Sequence, residues 1–500
     1  MSDLKTVLRD LSNIFIAVGA MSFIPLLVPI YYREYYAIFP LLITCLLFLQ
    51  IGFLLFVLFQ HAEVTNFKSA MVTAALGWLF IPLISAIPFL LMPYNQNSGA
   101  TMSALSAFFE SMSGWTGTGL TMVDKEQLLP YSLQFWRTWI QWIGGVGVIV
   151  LTLSILARPG VGSFVLYRGE AREKRTHPSI VSTVRTIWWI FLLYTIVGII
   201  GLLLICYIFP NGMSPWQSIN HAMTALATGG FSVTDKSIAG FGTICQLFIV
   251  MLMFAGAIAF AAHYDLLKGR IRRFFSDPQM RLMIFIAFIG VILLALININ
   301  NQNLPYGNNI LLAIRDSGFQ FVSALTCTGL STVDISTWTE SAKLLLSLTM
   351  IIGGAAGSTA GGIKLFRAIL LFKGAGWRVK RSISFSRRVF IRKFGGRCLP
   401  EKEAIDLVNE AAIVSFIWVL MLITGFFVMA FIYPQQTIGN IFFEVCSAQG
   451  NVGLSIGLTT ILMDPIAKIM LIFNMWIGRL EIIPVIVLLR SLVGIKRNIF

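Results

Sequence analysis

Four short stretches of this chain carry glycine and hydroxyl residues that could present oxygen atoms to a cation stripped of its water. They read Thr116-Gly117-Thr118-Gly119-Leu120-Thr121, Thr228-Gly229-Gly230-Phe231-Ser232, Thr326-Cys327-Thr328-Gly329-Leu330-Ser331 and Gly450-Asn451-Val452-Gly453-Leu454-Ser455. Aligned on Gly119, Gly230, Gly329 and Gly453, each glycine precedes a bulky apolar residue and then a hydroxyl residue. The first three copies add an aspartate five places on, at Asp124, Asp235 and Asp334. Glycine accepts positive φ at low cost, so successive carbonyls can turn toward one axis. Rings of such carbonyls can replace the hydration shell of an ion. The expected coordinating set is Thr116, Gly117, Thr118 and Gly119; Ala227, Thr228, Gly229 and Gly230; Thr326, Cys327, Thr328 and Gly329; and Gly450, Asn451, Val452 and Gly453. The hydroxyls of Thr116, Thr228, Thr326 and Thr328 are expected to add oxygens to the same column.

Close packing of small residues between membrane helices could place one Thr-Gly pair, but it gives no reason for four in register. The six cysteines are scattered without paired spacing, and no His/Cys/carboxylate set has metal-ligand spacing. No nucleophile–base set appears, so enzyme activity is not expected, and neither is an organic cofactor.

The elements that must hold these stretches are membrane helices. Hydrophobic residues make up 57% of the chain and charged residues 12%, with a mean hydropathy of +0.82, outside the range of ordinary soluble domains. Uncharged apolar runs of spanning length occupy residues 11–30, 37–59, 186–210, 282–299 and 413–434. The first continues past Val18-Gly19-Ala20, which favours a retained helix over a cleaved signal. The net charge is +15, and 29 of the 37 lysines and arginines are Lys5, Arg9 and Lys68 or fall in the segments 158–185, 268–281, 364–402 and 490–497. The repeated motifs lie between those segments, which is the positive-inside pattern. It places both termini and the basic loops in the cytoplasm; nucleic acid is a poor alternative.

Each motif then sits on an excursion between two spans, too short to cross by itself, dipping in as a half-helix and returning as extended chain. The half-helix would turn its negative C-terminal end toward a cation. The expected architecture is an all-α polytopic membrane protein with four pseudo-symmetric helix–pore-loop–helix units around one pore plus two N-terminal helices, ten spans in all. Expected boundaries are 1–67 for the extra pair, 68–160, 183–270, 278–373 and 407–500 for the units, and 374–406 for a basic linker.

On these residues the chain resembles the Trk, Ktr and plant and fungal superfamily of potassium transporters, and its length and extra N-terminal helices resemble the TrkH branch. The resemblance covers nearly the whole chain. No unit carries a full Thr-Val-Gly-Tyr-Gly; Thr116-Gly117-Thr118-Gly119 comes nearest and Asn451-Val452 strays furthest. Glycine at all four signature positions resembles the potassium-preferring members. The resemblance implies potassium uptake across the bacterial inner membrane, with potassium held in the filter. It also implies a TrkA-like cytosolic nucleotide-binding subunit docked on the basic face, and a homodimer. A proton- or sodium-coupled secondary transporter with alternating access is the alternative.

The glycine-rich stretch 353–364 interrupts the second helix of unit three. The resemblance implies a gate beneath the filter made by Gly353, Gly354, Gly357, Ser358, Thr359, Gly361 and Gly362 together with Arg479. Helix packing and a phosphate-cradling loop are the competing explanations for the glycines. An arginine inside a span needs a partner or water, and Glu110 or Glu444 could neutralise Arg479. Those two glutamates are expected to start the pore half-helices, where a negative charge suits the N-terminal dipole. His221, at the same place in unit two, is expected to be a packed hydrogen-bonding residue.

Overall fold

The computed structural model describes residues 2–96, 98–147, 180–209, 211–301, 306, 309–383, 392–394 and 397–493. The architecture is all-α and polytopic; a hairpin of two three-residue strands, Arg392–Phe394 and Arg397–Leu399, lies in the basic linker. Among the described residues six helices are long and apolar enough to span a membrane, and eight if two bent pairs each count as one span. Of the two further spans expected from the sequence, the one over 131–157 extends outside the described residues, and Glu340–Ile352 is stopped by Gly353, whose φ is +69°. The outward faces carry exposed Phe53, Phe285, Phe288, Phe416 and Phe427, a surface suited to lipid rather than water.

The first two helices, Ser2–Met21 and Ile38–Phe59, form a hairpin. Its turn is tied to unit one by Glu34, whose carboxylate accepts the backbone N–H groups of Tyr131 and Ser132 at 2.9 and 2.8 Å. Pro130 offers helix Tyr131–Val146 no side-chain cap, so Glu34 satisfies two of its orphan donors from a distance.

Each unit contains a short buried helix: Ala104–Thr116, Pro215–Leu226, Ile310–Leu325 and Ile438–Gln449. All four begin on a residue that caps with its side chain, namely Ser103, Ser214, Asn309 and Thr437. All four end alike, in the turn that closes a helix with one left-handed residue. Gly117, Thr228, Cys327 and Asn451 take φ of 67°, 49°, 54° and 52°. The following N–H groups, of Thr118, Gly229, Thr328 and Val452, each reach back 2.9 Å to the carbonyls of Ser113, Thr224, Ser323 and Ser447.

Contacts between neighbouring units close a ring. The Thr138 hydroxyl donates to Asn220 at 2.6 Å, and helix Thr243–Ala257 packs on Ile310–Leu325. Lys343 donates to Asn440 at 2.7 Å. Lys468 returns to unit one, donating to Ser106 at 2.9 Å.

Contrary to the expectation from the sequence, Glu110 and Glu444 do not start the short helices. They lie in mid-helix and fully buried, because Ser103 and Thr437 set the starts several residues earlier.

Candidate functional site

The four signature glycines meet around a single axis. Each has positive φ: 91° at Gly119, 82° at Gly230, 83° at Gly329 and 93° at Gly453. A Cβ added at Gly119 would stand 2.3 Å from the Gly229 carbonyl oxygen, and one at Gly230 2.2 Å from that of Thr328. At Gly329 it would be 2.1 Å from the Val452 oxygen, and at Gly453 2.2 Å from the Thr118 oxygen. The sequence of contacts runs from unit one to two, three, four and back to one. Both the backbone angle and the close approach require glycine at each position.

Side chains depart from this symmetry while the backbone keeps it. Asn451 turns sideways and donates to the Thr118 hydroxyl and the Met475 carbonyl, both at 3.0 Å. The amide of Gln141 brackets Gly230, accepting from Phe231 N–H at 3.0 Å and donating to the Gly229 carbonyl. The hydroxyls of Thr116 and Thr326 donate to the helix carbonyls of Met112 and Val322, each at 2.7 Å. Their protons are therefore spent on the helix.

On one side of the ring lies a cavity of about 500 Å³ whose walls include the four glycines, Thr121, Ser232, Ser331 and Ser455. Asp235, Asp334 and Glu126 supply carboxylates to it, while Asp124 is absent from its lining and exposed. Burial pushes the Glu126 carboxyl up to about 7; the Arg137 guanidinium works against that rise, and Asp235 and Glu110 add to it.

On the other side, the glycine-rich stretch lies against the base of the ring. The Thr228 hydroxyl donates to the Thr359 hydroxyl at 3.0 Å, and Thr359 donates to the Gly256 carbonyl at 2.9 Å. A Cβ on Gly361 would stand 2.0 Å from the Gly450 carbonyl oxygen. The N–H groups of Ala355, Ala356, Thr359, Ile363, Lys364 and Leu365 all have partners within the protein. Ser358 bonds back to Ala355 at 2.6 Å within the stretch.

Arg479 joins the stretch to unit one. It donates to the Thr359 carbonyl at 3.0 Å and the Gly145 carbonyl at 2.8 Å, and also to Gly144. Glu110 and Glu444 do not neutralise it: Glu110 pairs with Arg137 at 2.8 Å, and Glu444 binds Ser455 and Thr459. Glu481, two residues on, pairs with Arg367 instead.

A second set of four glycines repeats in register, and of these the sequence motifs single out Gly354 alone. Gly144, Gly256, Gly354 and Gly478 lie twenty-five or twenty-six residues beyond the signature glycines. In units one, two and four a Cβ there would stand 2.1, 2.2 and 2.0 Å from the carbonyls of Trp115, Leu226 and Gln449 at the ends of the short helices. Extending the alignment past the motifs would have revealed them. The second helices all stop within two residues of this set, at Val146, Ala257, Ile352 and Arg479. In units two and four the chain then turns by 107° and 115°.

Comparison with known proteins bears on the family and the fold. The TrkH family model, described as a cation transport protein, matches residues 37–494. An uncharacterized cation transporter of Methanocaldococcus jannaschii is 35% identical over 98% of this chain and 96% of its own. The Trk system potassium uptake protein TrkH of Escherichia coli is 33% identical over 84% of this chain and 85% of its own. The crystal structure of the potassium transporter TrkH from Vibrio parahaemolyticus superposes with a TM-score of 0.81 at 26% identity, covering 97% of this chain and 98% of that one. These relatives are membrane transporters, not enzymes. The chain belongs to the TrkH family of cation transport proteins.

Proposed function

We propose that this multi-pass membrane protein takes up potassium through the ring of Gly119, Gly230, Gly329 and Gly453, with the stretch 353–364 and Arg479 as its gate. The observation that carries the proposal is the closed sequence of glycine-to-carbonyl contacts from one unit to the next. Carbonyls held by turns of one geometry can replace the water of a cation at little reorganisation cost. The relatives named as potassium uptake proteins support potassium as the substrate.

The gate is supported by the Thr228–Thr359 hydrogen bond, which joins the ring directly to the stretch below it. Its glycines also give it low helix propensity, so it can shift without breaking a regular helix. In this reading the protein sits in the inner membrane with its basic, N-terminal side toward the cytoplasm, as the charge rule favours, and with the 500 Å³ cavity toward the outside. A cytosolic nucleotide-binding subunit would dock on the basic helix Leu365–Ile383 and the linker after it, with two copies of the chain sharing one such subunit. Arg378, Lys380 and Arg381 are exposed there; Arg387 and Arg388 lie outside the described residues. Neutralising these five together weakens docking, most at low salt, because high salt already screens the parent's charges. Co-purification at several salt concentrations reads the effect.

Potassium flux measured with purified protein in vesicles tests the main proposal. Fast passive flux that prefers potassium over sodium, with growth rescue of a potassium-uptake-deficient host, is the expected result. Slow flux in fixed stoichiometry with protons or sodium would favour the coupled carrier.

A further inference from the structure

The residue nine places before each signature glycine is Glu110, His221, Gln320 or Glu444. All four are completely buried in the middle of the short helices. In units one and four the carboxylate holds the chain that returns past the glycine. Glu110 accepts from the Thr121 hydroxyl at 2.9 Å and from Met122 N–H at 2.7 Å. Glu444 accepts from the Ser455 hydroxyl at 2.8 Å and from Ile456 N–H at 3.2 Å. These partners are the second and third residues after the glycine in both units, so the contact repeats in register. In unit two the imidazole of His221 meets the corresponding hydroxyl, Ser232, at 2.9 Å.

Unit three breaks the rule. Both polar atoms of the buried Gln320 amide lack a partner among the described residues. The return chain there is held from the neighbouring unit: Ser331 N–H donates to the Ser237 hydroxyl at 3.1 Å, and Ile238 N–H donates to the Ser331 carbonyl at 2.9 Å. Arg137 adds a further cross-unit tie, pairing with Glu110 while donating to the Ser232 carbonyl at 3.0 Å and lying 4.1 Å over the Phe231 ring.

We propose that Glu110, His221 and Glu444 are positioning residues that fix the return chains of units one, two and four, and through them the ion preference of the ring, while the return chain of unit three is fixed by Ser237. The proposal rests on the glycine ring being the ion pathway. Hydrogen bonds to ionised groups are short and strong, and a small shift of the return chain moves the coordinating carbonyls that precede it.

The test is the potassium-to-sodium permeability ratio of the full-length protein in vesicles, with potassium-dependent thermal protection as a second readout. Glu444→Gln and Ser455→Ala each lower the ratio about five-fold, the scale of one ordinary hydrogen bond. The double variant falls no further than Glu444→Gln alone, because Ser455→Ala removes a contact already lost there. Gln320→Leu stays within about two-fold of the parent, whereas Ser237→Ala lowers the ratio. Thr121→Val reads the unit-one contact and keeps the Arg137–Glu110 ion pair, which a Glu110 variant would break, while removing the hydroxyl to which Arg137 also donates at 2.9 Å. If Glu444→Gln, Ser455→Ala and Thr121→Val all keep the parent ratio while Gly119→Ser lowers it, the positioning role is wrong and the pathway stands. If Gly119→Ser also keeps the parent ratio, the pathway itself is wrong and this proposal goes with it.

Discussion

The two sides of the glycine ring are built on different rules. Toward the 500 Å³ cavity the four units are nearly interchangeable: four left-handed helix ends, four positive-φ glycines and four carbonyls each facing the next unit's glycine. Toward the termini they diverge. Unit three breaks into a loop, units two and four bend by 107° and 115°, and Arg479 belongs to unit four alone. A cation is close to spherical, so coordinating it favours symmetry around the axis. A gate must move between two arrangements, and one deformable segment against a fixed wall does this with fewer contacts to break than four would.

The largest expected effect lies on the symmetric side. Alanine at any one of Gly119, Gly230, Gly329 or Gly453 puts a Cβ 2.1 to 2.3 Å from a carbonyl oxygen of the adjacent unit. A left-handed backbone adds a strain of about 1–2 kcal/mol for an L side chain. Each substitution should cut the potassium-to-sodium permeability ratio about ten-fold or more, and by similar factors, since 1.4 kcal/mol is a tenfold change. Bi-ionic potentials or paired tracer fluxes measure it. A large loss at one glycine with none at the others would break the symmetry that the geometry displays.

On the asymmetric side the expected change is in rate and not in preference. Deleting three residues within 355–360 removes the segment that Thr228, Gly256 and Arg479 hold against the ring. Basal flux should rise about ten-fold, as a closed state favoured by roughly 1.4 kcal/mol is lost, with the permeability ratio unchanged. Arg479→Ala removes hydrogen bonds to Thr359, Gly144 and Gly145 along with a positive charge near the axis. Flux should rise about three-fold, since the loop keeps its bonds to Gly256. Loss of flux in both variants, with the protein inserted and folded, would make the segment a packing element and move the gate elsewhere.

The two sides were also unequally legible in the sequence. Gly119, Gly230, Gly329 and Gly453 stand out because a positive φ and a close approach admit one residue type, so the requirement is written as identity. The second set, Gly144 to Gly478, serves the same kind of approach but sits in apolar helix, where glycines are common. Only its register distinguishes it. Glu110 and Glu444 read as helix starts because a negative charge suits an N-terminal dipole, whereas the side chains of Ser103 and Thr437 set the starts. That Arg479 would be satisfied by backbone carbonyls of a distant unit is not readable from local pattern, since those carbonyls are freed only where two helices end.

The smallest expected effect concerns Glu126, on the cavity side but present in unit one only. Burial raises its carboxyl to about 7 from an ordinary 4.5, against the pull of Arg137. Because the folded value lies above the unfolded one, the neutral form is favoured in the native state. This group's contribution to stability is therefore lost as pH rises from about 4.5 through about 7. For transport the sign is opposite. Above about 7 the cavity, which Asp235 and Asp334 also line, gains one negative charge that attracts cations. Lowering the pH on the cavity side from 8 to 6 should raise the apparent KM for potassium about two-fold, a modest change because salt screens a charge at a water-filled mouth. Glu126→Gln should hold the high-KM behaviour at both pH values, and Asp124→Asn, whose side chain lies outside the cavity lining, should keep the parent's pH response. A parent whose KM is flat between pH 6 and 8 would remove Glu126 from any part in gathering ions, and would leave Asp235 and Asp334 as the charges that matter there.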